Sequence, residues 1–196
     1  MAKSTLGRKN LVPGKFQGQL LIAMPGMSDP RFVGTVSLVC YHNQEGTMAV
    51  ILNRLVGTLD AHQMLKGLRS DIQLPKEILR VHFGGPMMGD RGFILHGTEL
   101  NHLDSQDVTA DTAVSATTDV LLKLLPQQRI PWRLAIGCAS WVPGQLEDEI
   151  RSGGWLTAPA PRELIFKPDL ANVWTEALHS IGVREPAMLV GNTGHA

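Results

Sequence analysis

The sequence predicts a single α+β domain, an α/β mixture without regular βαβ alternation. Short β-branched and apolar runs alternate irregularly with stretches of helical apolar spacing. No internal repeat is visible, and no Pro/Gly/Ser-rich linker divides the middle of the 196 residues. At this length folding buries roughly 70% of the surface of the unfolded chain, enough for a core without staples.

The chain opens with Lys3, Arg8, Lys9 and Lys15 and no acid before residue 19. Residues 1–18 therefore read as a flexible basic arm, residues 19–185 as the domain and residues 186–196 as a polar tail. Residues 19–24 form an apolar run stopped by Pro25-Gly26, with a second turn at Asp29-Pro30. Residues 35–42 and 47–53, separated by Asn43-Gln44-Glu45-Gly46, predict an antiparallel hairpin. Asp60 is placed to cap a helix through residue 68, with Ala61, Met64, Leu65 and Leu68 on one face.

Residues 78–83 and 91–96 predict two strands joined by the loop 84–90, and residues 108–114 a weaker third. Thr117 or Thr118 starts a helix over 119–125 that Pro126 closes. Residues 133–138 predict a strand, and 145–151 a helix entered after Pro143-Gly144 and left at Gly153-Gly154. Asp169 is expected to cap the last helix, with Leu170, Val173, Trp174, Ala177, Leu178 and Ile181 on its buried face and Gly182 at its end.

Eighteen basic and eighteen acidic residues give a formal net charge of zero, so no global field draws the chain to nucleic acid or to an anionic membrane. Nucleic acid is expected only through the basic arm. The start has no signal-peptide pattern and no apolar run reaches membrane-spanning length, so no membrane partner is expected. Two cysteines, Cys40 and Cys138, make no disulfide framework and read as reduced cytoplasmic thiols.

No phosphate-binding P-loop, dinucleotide fingerprint, zinc helix or paired CxxC is present, and no cofactor is expected. Ser140 follows a strand and precedes a helix, but Cys138 and Val142 stand where a nucleophile elbow needs glycine. Cys138 is a weak catalytic candidate near a helix N-terminus, although a packed inert thiol is the simpler reading. His42 and Glu45 lie across a turn at a spacing that suits a shared proton or metal, and His42, His82 and His96 are weak metal candidates if their strand ends converge. Gly84-Gly85-Pro86 suits either an anion-binding nest or a tight turn, and strand alternation sends Asn53 and Arg54 to opposite faces.

Several stretches together resemble the YqgE/AlgH family of bacterial proteins. They are Leu21-Ile22-Ala23-Met24-Pro25, Asp29-Pro30-Arg31-Phe32 with Thr35-Val36, and Cys40-Tyr41-His42-Asn43-Gln44-Glu45-Gly46. Leu52-Asn53-Arg54, Phe83-Gly84-Gly85-Pro86, Arg91-Gly92-Phe93-Ile94-Leu95-His96 and Trp141-Val142-Pro143-Gly144-Gln145-Leu146-Glu147 follow in the expected order, completed by Gly154-Trp155 and Leu164-Ile165-Phe166. The resemblance implies an AlgH-like mixed sheet, strongly bent or barrel-like and surrounded by helices. It also carries the family's label of transcriptional regulator, without a reaction or a DNA-reading helix. Tyr41, Leu55 and Ser140 depart from the family pattern, which commonly has an acid, a proline and a glycine there.

The favoured function is a regulatory or small-ligand-binding module, with His42, Glu45, Asn53, Arg54, Gly84, Gly85 and His96 around a small polar or anionic ligand; a protein partner is the other expectation. The alternatives are a hydrolase using Cys138 or a histidine-bound metal, and a DNA-binding regulator acting through the basic arm.

Overall fold

The computed structural model describes residues 14–61, 78–127, 129–185 and 189. The first strand is β1 (Gln19–Ala23), four of whose five residues are buried. β1 pairs antiparallel with β2 (Val36–Asn43) on one side. β2 turns into β3 (Gly46–Ile51), where Asn43 Oδ1 accepts the Glu45 N–H at 2.7 Å and Gly46 takes φ +130°. This is the hairpin expected from the Asn-Gln-Glu-Gly turn.

β4 (Leu55–Asp60) pairs with β5 (Ile78–Phe83), and β6 (Met87–Gly97) is the longest strand. A two-residue β7 (Gln106–Asp107) and β8 (Thr112–Ser115) precede α1 (Thr118–Leu124). β9 (Trp132–Trp141) leads to α2 (Gln145–Arg151), and β10 (Trp155–Pro159) returns to the far edge of β1. α3 (Arg162–Ile165) and α4 (Val173–Ser180) finish the domain.

The strands form one sheet in the order β10-β1-β2-β3-β9-β6-β8-β7, with β5 and β4 branching from β9. It curls into a largely antiparallel half-barrel surrounded by helices, as the resemblance implied. The curl has a local cause in β9. Gly137, at φ +74° in mid-strand, shifts the alternation by one residue. Ala135 and Cys138 consequently both face the interior cluster with Leu38, Leu52 and Leu95, while Ala139 and Trp141 face an outer cluster with Leu21 and Leu146. α1 covers a third cluster through Val120, Leu121 and Leu124, against Leu79 and Leu134.

β9 is also the strand around which the chain crosses. β5 lies parallel to its Leu134–Ile136 stretch on one edge, while β6 runs antiparallel on the other. The link is Gly84-Gly85-Pro86, which passes over the face of β9. Gly84 donates its N–H to the Ile136 carbonyl at 2.8 Å and accepts from the Ile51 N–H at 2.9 Å. A Cβ on Gly85 would lie 2.2 Å from the Cys138 carbonyl carbon, and one on Gly137 would lie 2.4 Å from the Gly85 carbonyl oxygen. Two backbones cross there with no room for a side chain.

Several expectations are corrected. β4, β7, β10 and α3 were not read from the sequence, and β6 and β9 overrun their expected bounds by several residues. β4 is an exposed strand without apolar alternation, and the glycine inside β9 signals a strand break although the strand continues. The 108–114 strand is instead the β7–β8 pair. Asp169 is not the cap of α4; its carboxylate accepts the Ala171 N–H, and Asn172 occupies the cap position. Asp60 ends β4, Ala61 after it is helical and buried, and the rest of the expected helix lies outside the described residues. The arm boundary at residue 18 falls inside the fold, because Phe16 is buried against Leu21 and the Gly14 N–H donates to the His42 carbonyl at 2.8 Å. Residues 1–13 lie outside the described residues, and of the tail only Leu189 is described, packed against the interior cluster.

The outer cluster contains one polar clasp. Trp141 and Trp155 meet edge to face at 5.9 Å, and both indole N–H groups donate to Glu149 Oε2 at 2.8 Å, while Gln145 donates to its other oxygen. Removing that carboxylate leaves the indole donors without their acceptor. Glu149→Ala is expected to lose about 1–3 kcal/mol of stability, and Glu149→Gln less, in urea unfolding followed by tryptophan fluorescence.

Candidate functional site

The residues singled out from the sequence do not converge. His42 sits in the outer cluster, edge-on to Phe16, with Nδ1 2.8 Å from Thr47 Oγ and Nε2 3.4 Å from Glu147 Oε1. The carboxylate against this histidine is thus on α2, across the β3–β9 pair from the Glu45 of its own turn. Glu147 was not read as its partner because the two are distant in sequence.

Asn53 and Arg54 follow β3 rather than belong to it, so strand alternation does not apply to them. The Asn53 amide accepts the Val36 N–H and donates to the Gly34 carbonyl, both at 2.9 Å. The Arg54 guanidinium donates to the Val33 carbonyl at 2.8 Å and the Pro30 carbonyl at 3.3 Å. Together they tie the 29–34 loop to the end of β3. Gly84 and Gly85 are buried at the crossing, with the Gly84 N–H already bonded, so the anion-nest reading is replaced by a steric one.

His82 and His96 are buried separately. His96 donates from Nδ1 to the Gly97 carbonyl at 2.8 Å, and its Nε2 faces the hydroxyls of Ser115 and Ser105 at 2.9 and 3.0 Å. Burial is the main cause holding its pKa below the ordinary value. Among the described residues no three His, Cys, Asp or Glu side chains are placed to hold a metal together. The weak metal set His42, His82 and His96 therefore has no shared centre.

Cys138 lies in mid-strand rather than at the strand end, fully buried. Burial raises its pKa, only partly offset by the Arg91 charge, and burial raises Cys40 far more. A neutral thiol is a poor nucleophile, which weakens the hydrolase reading. Of the basic arm, Lys15 is described, 5.4 Å over the Phe16 ring.

His82 donates from Nδ1 to the Leu134 carbonyl at 3.1 Å, and its pKa is pushed down to about 4 by burial, then by the Arg133 and Arg80 charges. The unfolded chain binds this proton near 6.5, so the stability that depends on neutral His82 is complete above pH 6.5 and is lost as pH falls toward 4. At 1.36 kcal/mol per unit the loss is on the order of 3 kcal/mol, less any solvent screening. Thermal melts between pH 7 and 4 are expected to show this decline, and His82→Gln, which gains no proton, to flatten it.

Arg133 is the buried cation that sequence reading missed, although it shares a strand face with buried Ala135. It is 5% exposed and donates to the carbonyls of Leu52 at 2.5 Å, Lys167 at 2.8 Å and Ile165 at 3.1 Å. Burial lowers its pKa to about 10. It clasps the end of α3 to the end of β3, and one of its acceptors, the Ile165 carbonyl, is left open where α3 ends.

Above this clasp, α3, the 166–168 turn and α4 enclose a groove of about 570 Å³. Leu164, Phe166 and the prolines at 131, 161 and 168 give it apolar walls, Arg162 and Lys167 bring two cations to it, and Glu163 and Glu176 two carboxylates. Arg162 is held by Glu99 at 2.6 Å and Lys167 by Glu176, with 25% and 28% of the two basic side chains exposed. Both cations are half-buried while their carboxylates, 51% and 41% exposed, reach solvent, so each pair lies open to a competing anion from the water side.

The curled sheet, crossed by its own chain where Gly84 and Gly85 meet β9, defines a mixed α/β half-barrel protein. The sequence model of the family described as AlgH-like matches residues 20–185, and the chain belongs to that family. It is 44% identical to a UPF0301 protein of Nitrobacter hamburgensis over 91% of this chain and 87% of that one. It is 41% identical to a UPF0301 protein of Paracoccus denitrificans over 91% and 96%. The solution structure of the AlgH protein from Pseudomonas aeruginosa superposes with a TM-score of 0.73 at 32% identity, covering 96% of this chain and all of that one. A crystal structure from Corynebacterium diphtheriae, TM-score 0.69 at 21% identity, shares the fold.

Proposed function

We propose that this chain is a binding module for a small organic anion, with its site in the groove between α3 and α4 rather than among the family motifs. The observation that carries this reading is the pairing of Arg162 and Lys167 on an apolar-walled groove, each held by a single exchangeable carboxylate. A carboxylate or phosphate on the ligand replaces Glu99 or Glu176 as the partner of a cation, while its apolar part lies against Phe166 and the prolines. Occupancy joins α3 to α4 and so stiffens the C-terminal side of the domain, which is how ligand level is passed to a regulatory partner.

The test is thermal unfolding against a panel of organic acids, sugar phosphates and nucleotides at fixed salt. A ligand at 100 times its dissociation constant adds about 2.7 kcal/mol, a rise of roughly 5–10 °C for this size of domain. The double variant Arg162→Ala, Lys167→Ala is expected to lose the shift while keeping the unliganded midpoint within a few degrees. A shift that survives in the double variant overturns the assignment.

A further inference from the structure

We propose that Ser105 is a nucleophile that takes the acyl group of a small ester, with His96 as its general base. The sheet brings three side chains to one face here. His96, near the end of β6, lies opposite Ala113 of β8, so Ser115 two residues on shares its face. Ser105 stands one residue before Gln106 of β7, which pairs with Val114 beside that serine. The 3-10 turn Thr98–Leu100 and the loop after it carry the chain from β6 to β7.

The backbone sets the protonation of the ring. His96 Nδ1 donates to the Gly97 carbonyl at 2.8 Å, so its Nε2 carries no proton and can only accept. The Ser115 hydroxyl lies 2.9 Å from Nε2 and the Ser105 hydroxyl 3.0 Å, while Ser115 donates to Ser105 Oγ at 2.8 Å. Ser105 is thus the hydroxyl left to give its proton to Nε2. One hydroxyl is enough to satisfy the buried ring, and the second is nearer the surface: His96 and Ser115 are 0% and 3% exposed, whereas Ser105 is half-buried. A bare imidazole nitrogen, oriented through its other nitrogen and bonded to a reachable serine, is the arrangement that activates a hydroxyl.

Attack of Ser105 Oγ on the ester carbonyl carbon sends the hydroxyl proton to His96 Nε2. The ester C–O bond then breaks, the alcohol leaves with that proton, and acyl-Ser105 remains. Water gives a proton to Nε2 as it attacks the acyl carbon, the bond to Oγ breaks, and Oγ recovers the proton as the free acid departs. Neither Arg162 nor Lys167 takes part, so this inference and the groove stand or fall separately.

The full chain is treated with p-nitrophenyl acetate and, separately, with a fluorophosphonate. A fast initial release of one p-nitrophenolate per chain is expected, and peptide mass mapping is expected to place the fluorophosphonate adduct on Ser105, with exposed Ser140 of β9 unmodified. Ser105→Ala removes both signals, and His96→Gln slows the labelling about 100-fold or more. Should His96→Gln fail to fold, the pH profile of the wild-type rate takes its place. Burial, and then the His102 charge, lower the His96 pKa against the opposing Gly97 hydrogen bond and the Asp107 and Glu99 charges, so labelling persists below pH 6.5 before it falls with further acid. An unmodified wild-type chain, an adduct on other residues only, or a rate indifferent to His96→Gln or to pH overturns the inference.

Discussion

Replacing Gly85 by alanine is expected to abolish the native fold. The added Cβ would stand 2.2 Å from the carbonyl carbon of Cys138 and 2.3 Å from the nitrogen of Ala139. Both are backbone atoms of β9, held on either side by paired strands, so neither yields as a flexible side chain does. The backbone angle, φ +150°, adds conformational strain for any residue with a Cβ. Relief requires separating the crossing from β9, which breaks the sheet at its centre. The loss is expected at about 4 kcal/mol or more, the upper tail of single substitutions. Gly84→Ala meets the Gly137 carbonyl at 2.1 Å and belongs to the same class, whereas a Cβ on Gly89, a few residues on, touches nothing within 4 Å. Gly89→Ala is therefore expected to remain within about 0.5 kcal/mol of wild type. Urea midpoints, or soluble yield for variants that do not fold, separate these outcomes.

The second large effect is expected at Arg133. Arg133→Met fills much of the same volume but leaves the carbonyls of Leu52, Ile165 and Lys167 without their shared donor. Leaving a buried acceptor of this kind unpaired costs about 1–3 kcal/mol. Arg133→Lys keeps the charge but not the planar fork that reaches three directions, so an intermediate loss is expected. The substitution also carries a readout beyond stability. The Arg133 charge helps hold the His82 pKa down, so in any folded Arg133→Met protein that pKa rises from about 4 toward its ordinary value. Ring-proton NMR titration of His82 measures the rise directly.

The hairpin over β2 and β3, the strand β5 and the helices α1, α2 and α4 were legible because their apolar spacing and turn residues are local. The half-barrel was legible only through the family resemblance, since nothing local in the sequence states that β9 carries β5, β3 and β6. Gly84-Gly85-Pro86 is the clearest example. The glycine pair announces a place where side chains are excluded, but only the register of β9 shows that the excluded space is another backbone and not a ligand. Asn53 and Arg54 were read as binding groups for the same reason, since a polar side chain after a strand looks alike whether it meets a ligand or the carbonyl of a neighbouring loop. The groove was illegible because it joins Pro131, α3 and α4 across long separations, and α3 is too short to leave a periodic signal.

On the proposed function, an organic anion binds in the α3–α4 groove, while Gly84 and Gly85 build the crossing and Asn53 and Arg54 tie the 29–34 loop. Backbone amide shifts of isotopically labelled protein, followed during titration with whichever organic anion stabilises it most, test this directly. The predicted result is a set of perturbations at residues 162–168 and 176–180, with residues 42–46, 53–54 and 84–85 unmoved. Perturbations centred on His42, Asn53 and Gly85, with Arg162 and Lys167 silent, would contradict it.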